Sequence, residues 1–572
     1  MAESEAAFAY HEPSIKTVLN YTGFLLVLNI ANTCLDRLLY CGLIGQLFIG
    51  VLWGTPGAKW FDRETETVIQ QIGYLGLILL IYEGGLSTSI KALKANILLS
   101  MAVALTGICA PMGLSFILTE LVLATPLQAF SAGAALSATS LGTTFTILST
   151  TQLTTTRLGT VTTSAAMLDD VVGLVMVQII SNLGGSAASF SAVTVIRPIF
   201  VSIGFAVGLL LLCAFCLQPV LNRLIACKDR LPAFMGSVQF AFLAQTCVLV
   251  GTVAGATYAG TSSLFAAYLA GVIVSWFDGL LAESKLPLST AEPVISQTRP
   301  ISPQEPTATR QSACSVNDET TNETETRMQA TQKAETSDDT PTGEFIYEKY
   351  YKEPTNRILL PLFFASIGFA IPITKMFSGQ IVWRGIIYAV LMAIGKMITG
   401  LWLVRFSSDP VSGFVSIIKK PFSYLHSCTK RQKSKHPKKG KTSSRAKLEG
   451  KAKENTHDNN SDQNESTNTP DSQSPISLPP RPKSLYPPSI LGLAMVARGE
   501  VGYLIASIAE SQGIFSNNSS DGPSEIYLMV IWAISLCTLI GPIMVGTLVK
   551  RVKKLQKSRE IQGSDPLGIW GI

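Results

Sequence analysis

Apolar stretches of about 20 residues recur along this chain almost without interruption. A stretch that long crosses the roughly 30 Å hydrocarbon core of a bilayer as one helix. Backbone polar groups in lipid must be satisfied within the segment, so a chain that repeats the pattern is confined to a bundle of spanning helices. About thirteen spans are predicted, centred near Leu26, Gln46, Leu77, Leu105, Ser140, Asp170, Leu209, Thr246, Leu269, Ile367, Ala393, Val501 and Ser535. Mean hydropathy is +0.34 although two long polar inserts lower it. A buried helix of a soluble protein explains one such run but not the series. The expected fold is an all-α polytopic membrane protein, and its first span follows a polar, acidic leader rather than the basic start of a cleaved signal.

The predicted organisation is an N-terminal tail (1–15), spans one to nine (16–282), an insert (283–353), spans ten and eleven (354–406), a second insert (407–486), spans twelve and thirteen (487–550) and a C-terminal tail (551–572). The first insert is rich in Ser, Thr, Glu, Gln and Pro, and the second joins a Lys-rich half to an Asn, Ser and Pro half. Neither has the apolar periodicity of a folded domain, and both read as disordered. The basic half of the second suits anionic lipid headgroups as well as it suits plain solvation.

Charge sets the expected orientation. Of a net charge of +6, the clusters Lys91 and Lys94, Arg223, Lys228 and Arg230, Lys419 to Lys451, and Lys550 to Arg559 fall on alternate loops. The positive-inside rule makes that side cytoplasmic, with the N-terminus outside and the C-terminus inside. Opposite loops carry little more than Lys59, Arg63 and Lys375, and the last holds the sequon Asn518-Ser519-Ser520.

Soluble catalysis is excluded on composition. Ten cysteines form no disulfide or zinc framework, and Cys213 and Cys216 have C-x-x-C spacing inside an apolar span with no second pair. All four histidines, His11, His426, His436 and His457, lie outside the spans, so proton chemistry at membrane depth falls to carboxylates or lysine. No nucleotide loop, nucleophile elbow or metal cluster is present, and no cofactor or nucleic-acid partner is expected.

The ionisable residues expected at depth are Glu83, Asp169, Asp170, Asp278, Lys396, Arg498 and Glu500. A carboxylate at the bilayer centre costs about 2.5–3.5 kcal/mol on insertion scales, and the adjacent pair Asp169-Asp170 marks an ion or proton path. Helix neighbours stand about 100° apart, so the two cannot share one environment. One is expected to face a water-filled cavity as a cation ligand, and the other to turn toward Lys396, which needs a partner at depth. Thr163, two turns before Asp170, would add a hydroxyl to the same wall.

Two spans are interrupted. The stretch from Ser137 to Thr144 is small and hydroxyl-rich where a plain anchor would carry Leu and Ile. The stretch Ala497-Arg498-Gly499-Glu500-Val501-Gly502 sets two charges and two glycines at similar depth. Spans four to six begin inside and spans eleven to thirteen outside, the parity of inverted repeats in a transporter. Half-helix ends meeting at the midplane need compensating charge, which Arg498 and Glu500 supply. Close helix packing explains the glycines but not the charges.

Together these residues resemble the sodium/proton exchanger domain of the monovalent cation/proton antiporters. The resemblance rests on Ala166-Met167-Leu168-Asp169-Asp170, on Ser137-Ala138-Thr139-Ser140, on Tyr82-Glu83-Gly84-Gly85-Leu86 and on Ser263 to Gly271. Phe363 to Gly368, Gly395-Lys396 and Arg498-Gly499-Glu500 complete it. The double aspartate resembles the second, electrogenic-type branch. The resemblance implies the antiporter fold, with two crossed discontinuous helices, a mobile core domain and a dimerisation domain, hence a homodimer. It implies that Asp170 binds either Na⁺ or K⁺ or a proton, that Asp169 pairs with Lys396 in one state, and that Thr139 and exposed carbonyls are further ligands. Hard oxygen ligands suit an alkali cation. The inserts are long for the family, and their style suggests a fungal chain. The plasma membrane is the expected site, with vacuolar and endosomal membranes fitting the same topology.

Three functional readings follow: exchange of Na⁺ or K⁺ for H⁺, a cation or proton channel, and a transport-dead scaffold or sensor. Inverted broken helices favour exchange over a channel, and three costly charges at depth disfavour a scaffold.

Overall fold

The computed structural model describes residues 12–39, 42–88, 90–140, 156–184, 192–220, 237–285, 342–404, 485–516 and 523–559, with single positions 144, 148, 153, 223, 567, 570 and 571. Residues 286–341 of the first insert, nearly all of the second, Lys228, Arg230, the basic run from Lys419 and the sequon at Asn518 lie outside the described residues. Every regular element among the described residues is helical. In chain order these are α1 (Ile15–Leu39), α2 (Gly42–Trp53), α3 (Arg63–Leu86), α4 (Ile90–Ser115) and α5 (Pro126–Ser137). Then come α6 (Arg157–Gly184), α7 (Ala192–Leu212), α8 (Val238–Ala259) and α9 (Ser263–Lys285). Helix α10 opens at Gly343–Ile346 and passes through π-helical turns at Tyr347–Tyr351 and Thr355–Leu359 to end in Leu360–Gly368. The series closes with α11 (Gly379–Met397), α12 (Tyr486–Ala494), α13 (Glu500–Ser511) and α14 (Glu525–Arg559).

Nine of the described helices are long and apolar enough to cross a membrane. With the shorter α2, the interrupted α5 and α12–α13, and α10, they occupy the positions of the predicted spans. Burial sorts them. The apolar window of α14 is 67% buried and that of α6 56%, whereas that of α7 is 11% buried and presents Phe200 and Ile203 outward. Inside lipid such an outer face has no hydrophobic reason to hide, and packing instead depends on close backbone approach. The α3–α9 pair shows how. A Cβ on Gly271 would lie 2.4 Å from the Tyr82 carbonyl oxygen, and one on Gly85 would lie 2.2 Å from that of Tyr268. Only glycine permits this contact, which ties the Tyr82–Leu86 stretch to the Ser263–Gly271 stretch.

Two boundaries move. Ile367, expected at the centre of span ten, lies near the end of α10, which starts at Gly343 and so takes residues 343–353 from the first insert. The reason is capping, one cap local and one from α9. Thr342 Oγ1 accepts from Phe345 N at 3.3 Å, and the Asp278 carboxylate accepts from Gly343 N at 2.6 Å. Two of the amides that a helix start leaves open are thereby satisfied. Charge had masked this turn as insert. Likewise α14 continues through Arg559 and so takes 551–559 from the predicted tail.

Candidate functional site

The centre of the bundle is a crossing of two unwound segments. Helix α5 ends at Ala138, whose φ of −62° and ψ of 137° are extended, and α12 ends at Met495 before α13 restarts at Glu500. Ser140 N donates to Ala497 O at 3.0 Å, so each segment satisfies part of the other's freed backbone. The Thr144 hydroxyl adds a contact to Ala494 O at 3.3 Å. A Cβ on Gly499 would fall 2.6 Å from Ser140 Cβ, which is why a glycine stands at the crossing.

Charge settles the half-helix ends. Arg498 is fully buried and its Nη1 donates to Ser137 O at 3.2 Å and to Ala138 O at 3.0 Å. These carbonyls belong to the C-terminal end of α5, where partial negative charge gathers. Glu500 is the first residue of α13, where the partial charge is positive, and Ser140 hydrogen-bonds its carboxylate. Arg498 and Glu500 thus each make contacts with the unwound segment that follows α5 or with its end. Thr538 Oγ1 donates to Arg498 O at 2.9 Å and anchors the loop to α14.

Beside the crossing, α6 presents the two aspartates in different directions. Asp169 is fully buried, and its Oδ2 accepts from Lys396 Nζ of α11 at 2.5 Å. The same ammonium donates to Thr139 Oγ1 at 2.9 Å, and Thr139 in turn donates to Asp169 Oδ2. Gly107 of α4 leaves room for the lysine, since a Cβ there would lie 3.3 Å from Nζ. Asp169, Thr139 and Lys396 form a closed triad.

Asp170 faces elsewhere. It lines a cavity of about 390 Å³ with Glu500, Val501, Met167, Leu174 and Tyr268. Its Oδ1 is buried without a hydrogen-bond partner. The cavity runs on to the C-terminal end of α3 and the start of α10, where Glu83, Glu344, Glu348 and Lys352 line it. Lys352 Nζ pairs with Glu348 Oε1 at 2.6 Å.

The structure therefore brings together Asp169, Asp170, Thr139, Lys396, Arg498 and Glu500. Thr163 is not among the residues lining the cavity, so its expected contribution to the Asp170 wall is not found. Thr139 touches Asp169 and Lys396 rather than Asp170. Glu344, Glu348 and Lys352 were missed because they fell inside the presumed insert. The only available signal was Thr342 as an N-cap with an acid in the first turn. Asp278 acts as a cap for α10.

The family described as sodium/hydrogen exchanger, transmembrane, matches residues 24–295. The high-affinity Na(+)/H(+) antiporter NhaS3 of Synechocystis is 31% identical over 30% of this chain and 37% of its own. The Na(+)/H(+) antiporter of Enterococcus hirae is 28% identical over 30% of this chain and 45% of its own. Cation/H(+) antiporter 17 of Arabidopsis thaliana is 29% identical over 37% of this chain and 26% of its own. The chain thus spans less than half the length of these curated relatives. The solved sodium proton antiporter MjNhaP1 of Methanocaldococcus jannaschii shares the fold, with a TM-score of 0.50 and 12% identity over 94% of this chain and 99% of that one. The sodium/hydrogen exchanger model thus matches just under half of this chain, residues 24–295, and the chain shares its fold with a solved sodium proton antiporter.

Proposed function

We propose that this protein exchanges Na⁺ or K⁺ for protons across a membrane by alternating access, with cation and proton competing for Asp170. The observation that carries the reading is the Asp170 carboxylate, which lines the cavity with one buried oxygen lacking any protein partner. A buried polar atom of that kind is costly unless something else serves it. A proton or a dehydrated alkali cation does so in turn, and occupancy by one excludes the other. Relatives named Na(+)/H(+) antiporter and Na(+)/H(+)-K(+) antiporter support both cations as substrates.

Asp169 is the second carboxylate of the cycle. In this state it holds Lys396, and cation binding at Asp170 releases that pair and moves a second proton. The basic loops place the C-terminal end of α3 and the start of α10 on the cytoplasmic side. The cavity then opens inward, with the N-terminus outside. Crossed half-helices between repeats are a rocking element rather than a fixed pore, which favours exchange over a channel. The protein works as a homodimer in the plasma membrane.

The test is proton flux in proteoliposomes with a trapped pH dye, adding Na⁺, K⁺ or Li⁺ in turn. Cation-evoked pH change, lost in Asp170→Asn, is the expected result. Folded protein that responds to none of the three overturns the reading.

A further inference from the structure

The exchange reading gives one residue the cation, yet the buried Glu500 lines the same cavity as Asp170. We infer that Glu500 is a second cation ligand, so that the transported ion sits between the Asp170 and Glu500 carboxylates. The inference rests on the exchange reading and extends it to a residue whose position at the start of α13 is otherwise explained by helix-end compensation alone.

Three observations carry it. Glu500 is only 8% exposed, yet it lines the same cavity as Asp170. Helix-end compensation asks only for a carboxylate near the amides of α13, not for one that also borders the Asp170 chamber. Second, Asp170 Oδ1 is buried without a partner, so a ligand oxygen stands free on the side of the pair that Lys396 does not serve. Third, Val501, the residue after Glu500, and Met167 and Leu174 of α6 line the same cavity, so α13 and α6 both border the chamber that holds Asp170.

The chemistry follows. Two carboxylates in one low-dielectric chamber repel strongly while empty. A cation between them removes that repulsion and gains hard oxygen ligands from both, as alkali and alkaline-earth ions require. One positive charge leaves the pair with a single net negative charge, which faces the partial positive end of α13. Backbone geometry keeps the second ligand in register. Gly499 is pinned against Ser140 at the crossing, and Ser140 holds the Glu500 carboxylate. A movement of α13 relative to α6 would change the distance between the two ligands, coupling the crossing to cation affinity.

The test compares wild type, Glu500→Gln, Glu500→Asp and Asp170→Asn in proteoliposomes, titrating Na⁺ and K⁺ separately at one pH. Melting in detergent is followed in parallel. Loss of a charged ligand should raise the cation KM of Glu500→Gln by about tenfold or more, with the maximal rate changed less than about threefold. Glu500→Asp, which keeps the charge but withdraws it, should give an intermediate KM. A Glu500→Gln protein with lowered melting but a KM within about twofold of wild type shows helix-end compensation only and overturns the inference. Where Glu500→Gln fails to fold, an unchanged KM in Glu500→Asp overturns it equally. Either result leaves exchange itself intact, provided Asp170→Asn stays inactive. A wild-type protein that exchanges nothing instead overturns the parent reading.

Discussion

Lys396 Nζ stands 2.5 Å from Asp169 Oδ2, and both side chains are fully buried. Thr139 bonds to both groups, so the pair is sealed by the first unwound segment. Breaking a buried pair by removing one partner costs about 3–5 kcal/mol, because an uncompensated charge remains. The pair is thus a stability element in this state and, under the exchange reading, the element that cation binding must undo.

Asp169→Asn removes one partner and should lower melting markedly while leaving exchange measurable. Under the exchange reading its charge movement per cation should fall, since the proposed second proton carrier is gone. Each charge moved is worth about 2.3 kcal/mol per 100 mV, so reversal potentials in proteoliposomes resolve the change. An unaltered current would remove Asp169 from the proton count. Replacing Lys396 by Met in the Asp169→Asn background should recover most of the lost stability, because no lone ammonium remains.

Asp170→Asn should behave in the opposite way. Asp170 Oδ1 has no partner to lose, so melting should be unchanged or raised. Exchange should fall to background in dye-trapped vesicles. Persistent exchange by a folded Asp170→Asn protein would falsify the central assignment.

Gly499→Ala should be damaging out of proportion to one methyl. The added Cβ would meet Ser140 Cβ and Oγ at 2.6 Å. Overpacking of this kind costs about 1–3 kcal/mol. Ser140→Gly removes both obstructing atoms, so the double variant should melt closer to wild type than Gly499→Ala does. Equal melting of the single and double variants would show that the clash is not the cause.

Arg498→Lys should not substitute for arginine. One guanidinium nitrogen serves both Ser137 O and Ala138 O, and charge-assisted bonds of this type are worth about 1.5–3 kcal/mol each. An ammonium on a shorter stem leaves at least one of these carbonyls open. Lowered detergent stability with poor exchange is expected, and wild-type melting would show that the α5 carbonyls find another donor.

The sequence by itself determined that the chain is a helical membrane bundle, because apolar length and backbone satisfaction in lipid leave no other fold. It also marked a candidate site, since Asp169-Asp170 and Arg498-Gly499-Glu500 are too costly at depth to be structural filler. Helical geometry further required the two aspartates to face apart. Tertiary structure decided the rest. Nothing local says which aspartate meets Lys396, because that contact joins residues 227 positions apart. Nor does a local pattern reveal that Arg498 reaches the carbonyls of Ser137 and Ala138, or that Glu500 borders the Asp170 cavity. The start of α10 was hidden for a related reason. Its charged first turns resemble an insert until Asp278, from α9, is brought against the Gly343 amide and makes the segment a capped helix. Length and polarity act along the chain and can be read from it, whereas pairing partners are chosen by the packing of helices that lie far apart in the sequence.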